Sequence, residues 1–377
     1  MAKKTFIPIP PMAELPPAEE INVREVLNKY LSGEIDLICV LGPTASGKTK
    51  YAVQLARQIN QSLKTIRGGS ASEKRATPLA AGGGAHSCGV GGVLFAADPV
   101  LMTGAEIISA DSRQVYRGMD IGTGKDLNEY EEIPYHLMDI VDAGTKYNIF
   151  EYQRDFEKAY KDIVDRGGIP ILCGGSGLYI EAATCGYSLP EVPPDPELRA
   201  ELEKKTDEEL IAQLASLKPL HNNTDYDTRK RLIRALEIAI YEAEHPVQHT
   251  AFLPKNTYYI GTLVTREVRN AKIDARLDAR LEEGMVEEIR SLIDGTHPAM
   301  CTTDADGNTL PGKPIAPEDL IYYGLEYKFV TLYLIGELTF DEMRTQLATA
   351  IHQFAKRQMT WFRGMERKGI TIHWTAV

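Results

Sequence analysis

Short apolar runs alternate with amphipathic stretches along the first half of the chain. The runs that predict buried strands are Asp36–Gly42, Ala105–Asp111, Ile169–Gly175 and, later, Thr257–Val264. Between them, apolar residues at helical spacing such as Tyr51, Leu55 and Ile59 predict helices, and a further helix is predicted from about Ile149 to Arg166. Short buried strands that alternate with helices favour an α/β fold in which helices cover both faces of a parallel sheet.

The pattern changes after Pro193, where the strand-like runs stop. Residues 195–250 are helical and highly charged, which predicts a helical subdomain inserted after an α/β core of residues 35–194. Residues 251–377 are expected to return to the core with one more strand and to end on an edge strand at Gly369–Trp374. The helices predicted in this last part are about Glu267–Asp294, Pro317–Gly336 and Phe340–Arg363.

Two segments fall outside this alternation. Residues 1–34 are rich in proline and acidic side chains and are predicted to be a flexible leader. Lys48 and Asp111 lie 63 positions apart, whereas a helix with its connections needs only roughly 20. The excess, residues 62–104, is rich in glycine, alanine and serine, so we expect a low-complexity insertion without a role in the core.

Composition narrows the class of protein and its compartment. Hydrophobic residues make up 43% and charged residues 25% of the chain, and no apolar run is long enough to span a membrane. The five cysteines form no C-x-x-C pair, so we expect no disulfide framework, no zinc site and a cytoplasmic location. The net charge of −11 argues weakly against nucleic acid, but a local basic stripe can still neutralise phosphates.

A phosphate-binding loop follows the first predicted strand. The residues GPTASGKT match the pattern G-x-x-x-x-G-K-[ST] in full; they are Gly42, Pro43, Thr44, Ala45, Ser46, Gly47, Lys48 and Thr49. Loop amides and the N-terminus of the next helix bind phosphate oxygens, Lys48 adds a charge, and Thr49 offers a hydroxyl to Mg²⁺. A P-loop NTPase-like sheet is therefore expected, and the loop alone is compatible with a kinase, an NTPase or another transferase.

Asp111 directly follows the second predicted strand. Ligands of open α/β sheets bind at the carboxyl ends of the strands, so this carboxylate is expected to face the loop. Three roles remain open from the local sequence: a group that holds Mg²⁺, a general base, or a side chain that caps its own turn.

Further motifs follow in a fixed order. After the loop come ADSRQVYRGMDIGTGK (Ala110–Lys125), YHLMDIVD and GGIPILCGGSGLYI; then TRKRLIRALEI (Thr228–Ile238), KIDARLDARLEEGMVEEI and AKRQMTWFRG. Taken together, they closely resemble the tRNA dimethylallyltransferases, also called tRNA isopentenyltransferases, of the bacterial type. The resemblance covers nearly all of the chain outside residues 1–34 and 62–104.

The resemblance implies a reaction and a role in that reaction for several residues. Members of this family transfer a dimethylallyl group from dimethylallyl diphosphate to N6 of adenine 37 of tRNA and release diphosphate. The phosphate loop, with Thr44 and Lys48, would then hold the diphosphate together with Mg²⁺, and Arg266 would supply a further cation. Asp111 would accept the proton that N6 loses.

A basic segment near the end of the chain suits the nucleic acid. Residues 356–368 carry five cations and, among them, Trp361 and Phe362, which favours stacking and backbone contacts. By resemblance and charge, the predicted tRNA-binding residues are Asp111, Ser112, Arg113, Gln114, Ser176, Arg199, Lys230, Arg231, Leu232, Ile233, Arg234, Arg357 and Arg363. Ser176 stands where the family usually has threonine, and Tyr322–Phe329 departs from the family pattern.

Two other enzymes share part of these features. A P-loop small-molecule kinase would leave the basic and aromatic C-terminal segment unexplained. An adenylate isopentenyltransferase, which uses free nucleotide, shares the loop and Asp111 but needs neither the helical subdomain nor that segment. We therefore expect the enzyme that modifies tRNA, with the anticodon loop of the tRNA as its target. We also expect it to be a monomer that does not associate with a membrane.

Overall fold

A computed structural model describes residues 15–73, 101–186, 192–218, 228–245, 254, 256–304 and 308–377. The strands are β1 (Leu37–Leu41), β2 (Gly104–Ser109), β3 (Tyr116–Arg117), β4 (Tyr135–His136), β5 (Val141–Asp142), β6 (Gly168–Gly174), β7 (Thr257–Leu263), β8 (Thr302–Thr303), β9 (Thr309–Leu310) and β10 (Ile372–Ala376). The α-helices are α1 (Val23–Leu31), α2 (Lys48–Glu73), α3 (Ile149–Asp165), α4 (Gly177–Thr184), α5 (Pro196–Leu202), α6 (Asp207–Leu217), α7 (Arg229–Glu244), α8 (Arg266–Glu283), α9 (Met285–Asp294), α10 (Pro317–Leu320), α11 (Leu325–Leu334) and α12 (Phe340–Arg367).

Six parallel strands form the central sheet, in the order β10-β7-β1-β6-β2-β4. Every residue of β1 and β6 is buried, as expected of inner strands that helices cover on both faces. The phosphate loop leaves β1 between β6 and β7, so the loops after all three strands meet at one edge of the sheet. The predicted α/β fold and the edge strand at the end of the chain are confirmed.

The two faces of the sheet pack against different helices. On one face, Leu55 and Ile59 of α2 join Val40 and Ile107 in a buried cluster. On the other face, aromatic residues of α3 and Phe362 of α12 form the cluster. Helices α3 and α12 each begin with a capping box, at Asn148 and Thr339, which satisfies backbone amides of the first turn.

Several boundaries differ from the predictions. The helix predicted over Pro317–Gly336 is two helices, α10 and α11, which residues 321–324 separate. The predicted helix over 267–294 is two helices, because Gly284 has φ +111° and ends α8. Within the predicted leader, Asn22 caps α1, and Val26 and Leu27 pack into the core. The proline-rich composition around this short helix favoured the prediction of a flexible leader over that of an amphipathic helix.

The insertion is also narrower than predicted. Helix α2 continues to Glu73, so Leu63, which is 1% exposed, belongs to the core, and Met102 at the other end is 6% exposed in the same cluster. The expectation of no core role is wrong for these ends. The remainder, residues 74–100, lies outside the described residues.

Helices α5, α6 and α7 have a small core of their own, which contains Leu202, Leu210, Leu214 and Leu236. Another cluster joins α8, α9, α11 and α12 to the segment that follows β2, through residues such as Met119, Leu277 and Tyr327. The cluster that contains Met119, Leu277 and Tyr327 holds the C-terminal helices over the carboxyl edge of the sheet. None of the helices in the described part of the chain is long and apolar enough to span a membrane.

Candidate active site

A cavity of about 460 Å³ lies at the carboxyl edge of the sheet. The phosphate loop and the start of α2 form its floor, with Thr44, Lys48 and Thr49. Its walls come from segments that are distant in sequence: residues 111–114, 122–124, 173–174, Ser176 and 321–328, together with side chains of α8 and α12. The packing of the C-terminal helices therefore closes a site that the sheet alone would leave open.

The phosphate loop packs tightly against β7. Ser46 is fully buried, and its hydroxyl lies 2.7 Å from the Oγ1 of Thr262. A Cβ on Gly42 would collide with that pair, so the loop requires glycine there. Gly47, with φ +79°, then turns the chain into α2.

Lys48 is the first residue of α2 and points into the cavity floor. Burial lowers the pKa of Lys48, and the carboxylate of Asp111 opposes that shift. The two side chains are thus close enough to interact electrostatically, as the position of Asp111 after β2 predicts. Tyr130, which also lines the cavity, interacts with the hydroxyl of Thr49.

Asp111 both caps its turn and faces the cavity. Its Oδ1 accepts a hydrogen bond from the amide of Arg113 at 2.9 Å, the local arrangement that the sequence left open as an alternative. Its Oδ2 has no hydrogen-bond partner among the residues that the structure describes. One oxygen therefore fixes the carboxylate and the other remains available to a substrate.

Gln358 of α12 ties the loops together, a role that the sequence did not indicate. Its Oε1 accepts from the amide of Thr44 at 2.8 Å, and its Nε2 donates to the carbonyl of Gly175 at 2.8 Å. Ser176 accepts from the amide of Ser112 at 3.2 Å. These bonds hold three strand-end loops in one arrangement, and only the fold brings them together.

The arginines of α8 that line the cavity are Arg276 and Arg280, not the predicted Arg266. Arg266 is exposed at the first position of α8 and does not line the cavity. Ten helical residues correspond to about 15 Å along the axis, so Arg266 lies about three turns before Arg276 on α8. The sequence did not indicate which of the two arginines lines the cavity, because both lie in the same region that resembles the family.

Arg276 and Arg280 converge on one exposed acid. Their Nη2 atoms lie 2.9 Å and 3.2 Å from Asp126 Oδ2, and both guanidinium groups lie against Gly124, where a Cβ would collide with them. Burial lowers the pKa of Arg280, its neighbour Arg276 adds to the shift, and Asp126 opposes it. The pair therefore places positive charge in a partly desolvated wall.

Glu288 of α9 holds the wall that carries Gly124. Its carboxylate accepts hydrogen bonds from the amides of residues 120–122 at 2.7–3.1 Å and from the hydroxyl of Tyr327 at 2.6 Å. Lys125, which is 1% exposed, donates to the carbonyl of Tyr116 and to Asp120 and Asp139. A rigid turn results, although no motif indicated these anchors.

The predicted tRNA-binding residues lie in different environments. Residues 111–114, Ser176 and Arg357 line the cavity. Leu232 and Ile233 are 1% and 4% exposed in the core of the helical subdomain, so their side chains are not available to a nucleic acid. Arg231 lies beside them on α7, and Arg363 lies on α12 outside the cavity lining.

Two of the predicted arginines bind a buried acid instead. Arg199 donates to both carboxylate oxygens of Glu237, at 2.9 Å and 2.7 Å, and Arg234 donates to the same carboxylate and to the carbonyl of Val192. Glu237 is 1% exposed. Lys230, by contrast, reaches from α7 to the cavity mouth, where its Nζ lies 5.4 Å from the ring centroid of Tyr322.

The two aromatic residues of the basic C-terminal segment also separate. Phe362 is fully buried against the sheet and cannot stack on a base. Trp361 is 41% exposed and lies against Gly177 at the start of α4. The expectation of nucleobase stacking is therefore wrong for Phe362.

The oxygen groups of the cavity floor fit a magnesium ion. Thr49 offers a hydroxyl and Asp111 a carboxylate, and Mg²⁺ in phosphate sites usually needs only one or two protein ligands besides phosphate oxygens and water. In the described part of the chain no group of three His, Cys, Asp or Glu side chains forms a closed metal site. The donors thus suit an ion shared with a bound phosphate.

A phosphate loop, a strand-end aspartate and an arginine pair around one cavity define a P-loop α/β transferase. The family model of the IPP transferases matches residues 114–365. The chain is 50% identical over 345 residues to tRNA dimethylallyltransferase 2 of Bacteroides fragilis, with 90% of this chain and 92% of that protein covered. A tRNA dimethylallyltransferase of Parabacteroides distasonis is 49% identical, with the same coverage. The chain belongs to the tRNA dimethylallyltransferase family.

Solved structures agree with this assignment. The full-length tRNA isopentenylpyrophosphate transferase of Bacillus halodurans matches with a TM-score of 0.53 at 28% identity, covering 91% of this chain and 89% of that one. A eukaryotic dimethylallyltransferase acting on tRNA matches in fold with a TM-score of 0.59 at 22% identity, covering 86% and 69%. The family predicted from the ordered motifs is confirmed, and neither the kinase nor the adenylate isopentenyltransferase is favoured.

Proposed function

We propose that the cavity transfers a dimethylallyl group from dimethylallyl diphosphate to N6 of adenine 37 of tRNA. The chain is a tRNA prenyltransferase, and one observation supports this particular chemistry: Lys48, Asp111 and Arg276 line the same cavity. A diphosphate leaving group needs cations at one end of the site, and an amine nucleophile needs a base at the other.

The diphosphate end is built from the floor and the arginine wall. Negative charge grows on the diphosphate as its bond to carbon breaks, and the loop amides, Lys48 and Arg276 bind that charge. A bound Mg²⁺, held by Thr49 and diphosphate oxygens, would add positive charge to the leaving group. Arg276 takes the role that the family resemblance implied for Arg266, because Arg276 lines the cavity and Arg266 does not.

The adenine end centres on Asp111. As N6 attacks the first carbon of the dimethylallyl group, the carbon–oxygen bond to diphosphate breaks and N6 must lose one proton. Oδ1 of Asp111 is held by the amide of Arg113, so Oδ2 is the oxygen that accepts this proton. The target base reaches Asp111 by leaving its stack and entering the cavity.

The surroundings of the cavity support tRNA as the second substrate. Lys230, Arg113 and Arg357 surround its mouth, although the chain as a whole carries a net charge of −11. We expect the enzyme to act as a monomer, and its tRNA substrate puts the reaction in the cytoplasm.

The deciding experiment is mass spectrometry of an anticodon stem-loop RNA after incubation with dimethylallyl diphosphate and Mg²⁺. We expect one added dimethylallyl group at the adenine of position 37, and none on RNA in which guanine replaces it. Free AMP in the same reaction tests the adenylate enzyme. Modification of AMP but not of RNA would contradict the proposal, as would phosphate transfer from ATP to a small molecule.

A further inference from the structure

Tyr322 is a large aromatic residue that remains in water at the cavity mouth. It is 70% exposed and lines the cavity, whereas the next residue, Tyr323, is 6% exposed. The core therefore does not require the ring of Tyr322. An exposed aromatic ring beside a substrate cavity is a candidate contact for that substrate.

The backbone that carries this ring is held firmly. The amide of Tyr322 donates to the carbonyl of Asp319 at 3.1 Å. The hydroxyl of Tyr323 donates to the carbonyl of Thr145 at 2.6 Å, and its ring packs edge-on against Tyr116 at 4.7 Å. A ring on a fixed backbone loses little conformational freedom when a ligand covers it, which favours binding.

Cations accompany the aromatic residues of the mouth. Lys230 Nζ lies 5.4 Å from the ring centroid of Tyr322. Elsewhere in the lining, Phe354 is 37% exposed and the guanidinium carbon of Arg357 lies 5.8 Å from its ring centroid. Aromatic rings paired with cations suit single-stranded nucleic acid, because the rings stack on bases and the cations bind phosphates.

We infer that Tyr322 is a stacking platform for a nucleotide adjacent to the target adenine, an inference that rests on the proposed function. When a base leaves the anticodon loop for the cavity, its neighbours lose a stacking partner. The ring of Tyr322 covers the exposed face of one neighbour, and Lys230 binds the backbone beside it. Tyr322 thereby positions the RNA without touching the reacting atoms.

The test compares Tyr322→Ala with Tyr322→Phe, which keeps the ring and removes only the hydroxyl. Leu101→Ala is the control, since Leu101 is 74% exposed but lies outside the cavity lining. The ligands are two anticodon stem-loop RNAs that carry fluorescent 2-aminopurine either before or after the target adenine. Fluorescence reports stacking, a titration reports affinity, and mass spectrometry reports transfer.

We expect Tyr322→Ala to weaken RNA binding by about tenfold and to lose the quenching of one of the two probes. Tyr322→Phe and Leu101→Ala should behave like the wild type, and the affinity for dimethylallyl diphosphate should stay constant in all variants. The inference fails if Tyr322→Ala retains affinity and quenching, or if Tyr322→Phe loses as much as Tyr322→Ala. If the wild type modifies no RNA, the proposed function fails as well, so the two failures are distinguishable.

Discussion

Two arginine pairs in this molecule converge on a single carboxylate, with different consequences. In the cavity wall, Arg276 and Arg280 meet Asp126, which is 43% exposed. In the helical subdomain, Arg199 and Arg234 meet Glu237, whose side chain is 1% exposed. Arg234, Arg276 and Arg280 lie in segments that resemble family motifs. Arg199 and Arg234 were predicted to contact tRNA, whereas no role was predicted for Arg276 or Arg280.

Burial of the acid separates the two pairs. A carboxylate removed from water depends on its cations, and removing them leaves a buried charge that costs several kcal/mol. An exposed carboxylate is still hydrated, so its cations can exchange it for a diphosphate at little cost. We therefore expect Arg276 and Arg280 to be available to a ligand, and Arg199 and Arg234 to stabilise the subdomain.

The largest expected effect on activity is that of Asp111, which lines the same cavity as the cavity pair, Arg276 and Arg280. Asp111→Asn preserves the shape but removes the base, so we expect a loss of about 10²- to 10⁴-fold in single-turnover rate with nearly normal substrate binding. Lys48→Ala should impair both diphosphate binding and chemistry. Rescue of Asp111→Asn by added Mg²⁺ would mean that Asp111 positions the metal instead of taking the proton.

The cavity pair itself is tested by Arg276→Ala. Loss of a cation that faces the leaving group should lower kcat/KM by about 10²- to 10³-fold. Arg266→Ala is the matched control from the same helix and should stay within a few-fold of the wild type, as should Arg199→Ala under conditions where it is folded. Equal losses in Arg266→Ala and Arg276→Ala would overturn the assignment of the cavity arginine.

Glu237→Gln tests the other pair through stability. Because Arg199 and Arg234 are 42% and 38% exposed, we expect a loss of about 2–3 kcal/mol, below that of a fully buried pair. Urea denaturation measures it, with Glu242→Gln on the same helix as control. An unchanged midpoint would show that the buried acid does not hold the subdomain.

The same pair predicts a pH dependence. Burial alone would raise the pKa of Glu237, but its bonds to Arg199, the Asp195 amide and Arg234 outweigh burial and hold that pKa below its usual value. Its contribution is therefore present above the ordinary glutamate pKa and is lost as pH falls through the lower folded value. The stability difference between wild type and Glu237→Gln should shrink on acidification; a constant difference would contradict this.

A smaller effect is expected for cations outside both pairs. Arg357 lines the cavity and Arg363 does not, so Arg357→Glu should weaken tRNA binding by about tenfold and flatten its salt dependence more than Arg363→Glu does. Titrations at several salt concentrations measure both quantities. Equal slopes for the two variants would argue against a path of the RNA over the cavity mouth.

The smallest effect is expected for residues 74–100, the part of the predicted insertion that lies outside the described residues. Replacing residues 74–100 by a short Gly/Ser linker should leave transfer and stability almost unchanged, because loop length contributes little to the free energy of unfolding. A wider deletion that removes Leu63 or Met102 should destabilise the protein, since both side chains are buried. Loss of transfer in a folded 74–100 deletion would reveal a role for that segment.

Local sequence was sufficient wherever chemistry depends on neighbouring residues. The apolar runs predicted the inner strands, and the loop pattern with Gly47 and Lys48 predicted the phosphate site, because both depend on backbone conformation over a few residues. The position of Asp111 followed from a general property of parallel sheets, that their carboxyl ends share one edge. The order of the motifs then indicated the family.

Tertiary packing decided the rest. Arg266 and Arg276 share a helix, and only the packing of α8 against Gly124 determines which of them reaches the cavity. Gln358 joins two loops that lie far from it along the chain, and Glu237 occupies both Arg199 and Arg234. The residues next to a charged or polar side chain in the sequence do not identify its partner. The partner depends on which surfaces the hydrophobic core brings together and on which of these surfaces becomes buried.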